Sequence, residues 1–157
     1  MGRPTMLQGW TVAIMTGYSD FSDHGADHRI YLSENVAAKF ELSMDKVVEP
    51  YWQWEQKKLA IRFVGDDGTD AQQLFRRGLF RLREPYRVGA PWAIVARTLL
   101  RSQGLNAEGW TVCDVSIEEL EFPDEGPAEV AVIDLTPLFE QPTEDRPEAG
   151  IRRRAWA

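Results

Sequence analysis

Cysteine is almost absent from this chain of 157 residues: Cys113 stands alone. A single cysteine forms no internal disulfide and supplies no cysteine-based zinc site. Histidine is nearly as scarce, with His24 and His28 only, so proton transfer near neutral pH has few candidate groups. Lysine occurs only at positions 39, 46, 57 and 58, and every other basic residue is arginine. No apolar run approaches the roughly 18 residues of a membrane span. The opening MGRPTMLQGW lacks the apolar centre of a signal peptide. Met6 stands where a myristoylation pattern needs Ser or Thr. Neither a G-x-S-x-G nucleophile elbow nor a G-x-x-x-x-G-K phosphate loop occurs, which removes two common catalytic frameworks. The expected setting is cytoplasmic, with no membrane contact and no cofactor.

What is present is a globular composition, 43% hydrophobic and 27% charged, with six Trp and seven Phe. A chain of this length buries a core of its own. The sequence reads as one globular domain over 1–139, followed by a flexible tail over 140–157 that is rich in Pro, Glu and Arg. The net charge of −7 is unevenly spread. Residues 29–64 sum to +1 and 65–109 to +2, whereas 110–149 carry twelve acidic groups against Arg146. Such segregation leaves room for a basic face on an acidic protein. The acidic region 110–149 is itself a candidate docking surface for another protein.

Hydrophobic periodicity outlines the elements. Gly9–Thr16 alternates like a strand, as does Arg29–Leu32. Ser33 reads as a helix N-cap, with Glu34 in the first turn and Val36 and Phe40 four apart on one face. Lys46–Trp54 and Lys58–Val64 read as a hairpin around the polar turn Glu55-Gln56-Lys57, with Pro50 marking an edge. Ala71–Arg77 reads as one or two helical turns and Gly78–Arg83 as a strand. From Pro91 to Gly104, a Trp92, Val95, Ala96, Leu99, Leu100 stripe predicts the longest helix. Gly109–Val115 and Ala128–Leu135 read as strands, and Ser116–Phe122 as a strand or a bent turn. Gly9-Trp10-Thr11-Val12 recurs as Gly109-Trp110-Thr111-Val112, which marks two strand openings. The predicted fold class is therefore α+β: a mostly antiparallel sheet or half-barrel with a short helix at 33–40 and a longer one at 91–102.

Three constellations carry candidate chemistry. Arg76, Arg77, Arg81, Arg83 and Arg87 are the main basic concentration; Arg81 and Arg83 share one face of a strand, as a phosphate-contacting stripe requires. Tyr51, Trp52 and Trp54 form an aromatic group suited either to core or to an oligomer or partner surface. Asp20, Asp23, His24, Asp27 and His28 combine imidazole and carboxylate in one loop, a set competent for a divalent metal; compositional clusters of this kind are more often hydrated loops, and no metal site is assigned. Cys113 in WTVCD has the setting of a buried structural thiol.

The run Arg29-Ile30-Tyr31-Leu32-Ser33, then Ala37, Phe40 and Leu42, then Val47–Trp54 and Leu59-Ala60-Ile61, resembles the swapped-hairpin module of AbrB/SpoVT-type proteins. The resemblance covers about a quarter of the chain. Ser33 and Met44-Asp45 stand where that family commonly has Pro before the helix and Gly-Asp after it. It implies a strand–helix–hairpin order, a homodimer of interleaved hairpins, and DNA binding through basic residues near the first strand, here Arg29. The leading expectation is a non-enzymatic binding or regulatory module, homo-oligomeric, of unassigned ligand. An AbrB-like DNA-binding regulator using Arg29 and the arginine cluster is the alternative. A metal-dependent protein using Asp20, His24 and His28 is a third.

Overall fold

The computed structural model describes residues 7–15, 28–65, 71–85, 88–96, 99–100, 110–123 and 125–139. Eight strands dominate them: β1 (Thr11–Met15), β2 (Arg29–Leu32), β3 (Lys46–Gln53), β4 (Lys58–Gly65), β5 (Phe80–Arg83), β6 (Trp92–Val95), β7 (Trp110–Phe122) and β8 (Gly126–Asp134). Short helices α1 (Glu34–Lys39), α2 (Ala71–Arg76) and α3 (Thr136–Phe139) and a 3-10 turn at Trp54–Gln56 join or cap them. The strands close into an antiparallel barrel in the order β1-β2-β6-β5-β3-β4-β8-β7. Closure removes the free sheet edges that a half-barrel would leave.

Two expectations are corrected here. The chain is a closed β-barrel with single-turn to two-turn helices, not an α+β sheet. Nor does a long helix run from 91 to 102, because Trp92–Val95 is a strand. It is paired to β2 through Ile30↔Ile94 and to β5 through Leu82↔Ile94. The misleading stripe mixes two elements. Trp92 belongs to β6, whereas Leu99 and Leu100 are helical, with the Leu100 amide donating to the Ala96 carbonyl at 2.9 Å, and with Ala96 fill the barrel's end. A short apolar run does not distinguish strand from helix by period alone, and Pro91 fits the entry to a strand as well as a first helical turn. The proposed stop at Gly104 lies outside the described residues, as does the tail over 140–157.

The strand–helix–hairpin order of 29–65 is present as β2, α1, β3 and β4. Ser33 caps α1: its Oγ accepts from the Val36 amide at 3.4 Å, while its own amide donates to the Thr11 carbonyl at 3.1 Å. One buried residue thus starts the helix and ties it to β1. The two recurring openings prove to be neighbours: β1 pairs with β7 across nearly the whole chain, with Val12 opposite Cys113 and Ile14 opposite Thr111.

Alternation along the strands fills the barrel. Val12, Ile14, Ile30, Leu32, Val48, Leu59, Ile61, Leu82, Ile94, Cys113, Val115, Ala131 and Ile133 form one buried cluster. An eight-stranded barrel is just wide enough for side chains of this size. Each fully buried Ile or Leu contributes about 1.5–3 kcal/mol. Since α1 joins the end of β2 to the start of β3, it closes one mouth, through Val36, Phe40 and Leu42. At the other mouth, Leu135 before α3 and Leu138 within it are inserted, with Ala96, Leu99 and Leu100 in the same cluster. Outside the wall, α2 covers Val47 through Leu74.

Asp134 fixes the start of α3. Its Oδ1 accepts from the Thr136 hydroxyl at 2.6 Å and the Thr136 amide at 3.0 Å. The hydroxyl bond first, then the amide bond, hold the Asp134 carboxyl below its usual value. A depressed carboxyl stabilises the fold above its unfolded pKa, about 3.9, and that contribution is lost as pH falls through the lower folded value. Asp134→Ala is therefore expected to cost about 1 kcal/mol at pH 7. The difference from the parent protein should shrink toward pH 3 in urea unfolding. An equal difference at both pH values would assign the effect to lost packing instead.

Candidate functional site

The chemistry-bearing side chains lie on the outside of the barrel. On β5, Phe80 and Leu82 turn inward, while Arg81 and Arg83 are exposed on the outer face. Arg76 and Arg77, at the end of α2 just before β5, are exposed as well. Residues 76–84 hold these four arginines and one carboxylate, Glu84, in sequence. Arg87 lies outside the described residues.

Arg29 joins the edge of this face. It stands opposite Val95 on β6. Extending the β5–β6 register by one residue sets Arg81 level with Val95 on the other side. Arg29 and Arg81 therefore flank Val95, which is 41% exposed. Their backbones lie two strand steps apart, roughly 10 Å. Sequence alone places Arg29 more than forty residues from Arg76; the β2-β6-β5 order brings it within two strands of β5.

The acidic strand β7 lies elsewhere. In the eight-strand circuit β7 is four positions from β5 in either direction, so the two strands occupy opposite walls. Strand β7 carries Asp114, Glu118, Glu119 and Glu121 and no basic residue, and all four are exposed. The cations that do meet the acidic hairpin come from other elements. Lys39 of α1 pairs with Glu129 at 3.0 Å, and Arg62 of β4 with Glu125 at 2.6 Å.

Arg62 organises the outer face of the β3–β4 hairpin and was not singled out from the sequence. It pairs with Glu49, its cross-strand neighbour, at 3.6 Å and lies over the Phe122 ring at 4.1 Å. The Tyr51 hydroxyl donates to Glu49, and its ring meets Phe122 at 5.5 Å. Donation to Glu125, foremost, pushes the Arg62 guanidinium up, while burial and then Glu49 push the Tyr51 phenol up. A turn of Glu55-Gln56-Lys57 alone sets Arg62 opposite Pro50; the turn also takes in Trp54, which shifts the register by one and brings Arg62 opposite Glu49.

The aromatic group is divided by the strand. Tyr51 points outward into the Arg62 cluster. Trp52 points inward and stacks on Trp54 with centroids 4.5 Å apart and planes 5° apart. Trp54 in turn meets Phe139 edge-on at 6.4 Å. Both tryptophans are half-buried against this chain's own core, at the mouth closed by α3.

His28 is buried at the entry to β2; Asp20, Asp23, His24 and Asp27 lie outside the described residues. Among the described residues no group of three or more His, Cys, Asp or Glu side chains could hold a metal ion. Cys113 faces the barrel interior, and burial, then Asp134 and Asp114, push its thiol up to about 12. It stays protonated at neutral pH, which suits a core thiol rather than a nucleophile. No helix among the described residues is long and apolar enough to cross a membrane.

Comparison with protein-family models, with curated proteins and with solved structures returned no match.

Proposed function

We propose that this protein is a non-enzymatic binding module whose working surface is the arginine face of α2 and β5, and whose partner is the phosphate backbone of a nucleic acid. The observation that carries the reading is the charge division of the barrel. Four exposed arginines occupy consecutive elements on the wall opposite the carboxylate-bearing β7. A net charge of −7 would oppose polyanion binding if it were uniform. Here the two walls lie on opposite sides of a packed interior on the order of 10 Å thick, so a phosphate docked on one wall is much nearer its arginines than the carboxylates of the other. The arginines therefore act on a docked phosphate more strongly than the distant carboxylates do. Arginine suits the task through its planar, multiply donating head.

Anisotropy titration of a labelled DNA duplex tests this. With three or four phosphates neutralised, affinity is expected to fall about 100-fold between 50 and 200 mM salt. Absence of binding at 50 mM, or binding indifferent to salt, would overturn the reading. The same charge division also favours a second partner, another copy whose acidic wall meets this arginine face. Because the two surfaces differ, such contacts would be head-to-tail and open-ended. Light scattering over the same salt range separates the cases: self-association raises the mass above the monomer at low salt without nucleic acid.

A further inference from the structure

Strand β7 runs on past the point where β1 covers it. The Val115 amide donates to the Trp10 carbonyl at 2.9 Å, and beyond it no strand among the described residues pairs with β7 on that side. Gly9, with a φ of 68°, bends the chain away there, and Leu7 packs instead against Ala13, Met15, Tyr31 and Ala93 on the outer wall. Meanwhile β7 continues to Phe122, paired with β8 in unbroken register. Backbone groups alternate in direction along such a ladder. The amides and carbonyls of Ile117, Glu119 and Glu121 therefore point as those of Val115 do, to the open side. The ribbon is held firmly apart from that edge. Ile117 packs on the barrel core, and Leu120 and Phe122 on Val130 and Val132. Lys39 and Arg62 pin its far strand and turn at Glu129 and Glu125.

We infer that this edge receives an extended basic segment of a partner protein, added as one more antiparallel strand. Unpaired strand edges are templates for such pairing. Charge selects the occupant. Glu119 and Glu121 are exposed, and Glu119 stands directly opposite Glu129, a like-charge pair that costs stability. Lys39 answers Glu129 at 3.0 Å, whereas Glu119 and Glu121 have no cation among the described residues. A basic side chain beside Glu119 relieves that repulsion. A second copy of the same edge would worsen it, because pairing centred on Glu119 sets Glu119 against Glu119. The antiparallel register asks for basic residues opposite Glu121 and Glu119 and an apolar one opposite Ile117. The edge lies away from the arginine face, and the inference does not rest on nucleic-acid binding.

Amide chemical shifts of the full-length protein at low salt test this with capped pentapeptides. The basic probe is Lys-Val-Lys-Thr-Val and its acidic match Glu-Val-Glu-Thr-Val. The basic peptide is expected to give saturable shifts at Ile117, Glu119 and Glu121. It should bind about tenfold more tightly than the acidic one, in keeping with two surface ion pairs gained. N-methylation at both lysines, whose amides face β7 in this register, should abolish binding. N-methylation at the second and fourth residues, whose amides face away, should leave it. The double variant Glu119→Gln, Glu121→Gln should weaken the basic peptide about tenfold. Both side chains are exposed, so the variant keeps the fold, and its amide spectrum verifies that. The inference is overturned if those three amides show no saturable shift. Binding that survives N-methylation of the lysines, or that the glutamines leave unchanged, overturns it too. So does a dimer of the peptide-free protein in light scattering that the glutamines strengthen, since a second copy would then hold the edge.

Discussion

Replacing Ile94 by alanine is expected to destabilise the protein by about 2–5 kcal/mol, the cost of deleting a fully buried aliphatic side chain. Val95→Thr, one residue further on, should stay within about 0.5 kcal/mol. The contrast follows from strand geometry. Ile94 has no exposure and lies between Ile30 and Leu82 on the neighbouring strands. Val95 points the other way and is 41% exposed. A helix from 91 to 102 reverses the order, because Val95 would lie in its apolar stripe and Ile94 beside it. Urea unfolding of both variants decides the matter. Whole domains carry only about 5–15 kcal/mol, so Ile94→Ala can fall below the folding threshold. Ile94→Val, with an expected loss of about 0.5–1.5 kcal/mol, then keeps the comparison measurable. A larger loss from Val95→Thr than from Ile94→Val would contradict the barrel.

That pair of residues also shows where sequence reading reached its limit. Strand β4 was legible because Leu59, Ile61 and Phe63 alternate with Ala60, Arg62 and Val64 over a full period-2 run. The start of α1 was legible because Ser33 has a local task, capping an amide three residues away. Strand β6 was not, since four consecutive apolar residues have no period of their own in the sequence, although only Ala93 and Ile94 are buried. The lower part of β7 was ambiguous for another reason. Glu118, Glu119 and Glu121 make it look like a turn, yet it pairs throughout with β8, from Glu118↔Val130 to Phe122↔Gly126. Barrel closure was the least accessible feature: β1 and β7 meet across about a hundred residues, and nothing local encodes that partner.

The candidate site was legible in part for the same reasons. The arginines of 76–83 were visible as a cluster, and alternation placed Arg81 and Arg83 on one face. Their relation to the acidic third was not visible, because it depends on strand order around the barrel. Tyr51, Trp52 and Trp54 look like one patch in the sequence. The strand separates them, sending Tyr51 to Glu49 and Phe122 and Trp52 to Trp54.

The second large effect concerns that arginine face. The double variant Arg81→Glu, Arg83→Glu is expected to weaken duplex binding at least about 100-fold at 50 mM salt and to lower the salt slope by about two. Both side chains are exposed on β5, opposite Val47 and Ala93 respectively. Reversing their charge therefore sets no acidic pair directly across a strand, and the unfolding midpoint should stay close to the parent's. Neutralising the far wall, with Asp114→Asn and Glu118→Gln, should leave binding unchanged or make it slightly tighter. If the two doubles weaken binding alike, charge position is irrelevant and the proposed face is wrong.

Mapping amide shifts on adding unlabelled DNA duplex at low salt tests the central claim most directly, since it locates the contact without altering any residue. The charge-divided barrel predicts perturbations over Arg76–Arg83 and at Arg29 and Val95, with Asp114–Glu118 on the opposite wall unmoved. Perturbations centred on β7, or confined to the tryptophan mouth around Trp52 and Trp54, would contradict it.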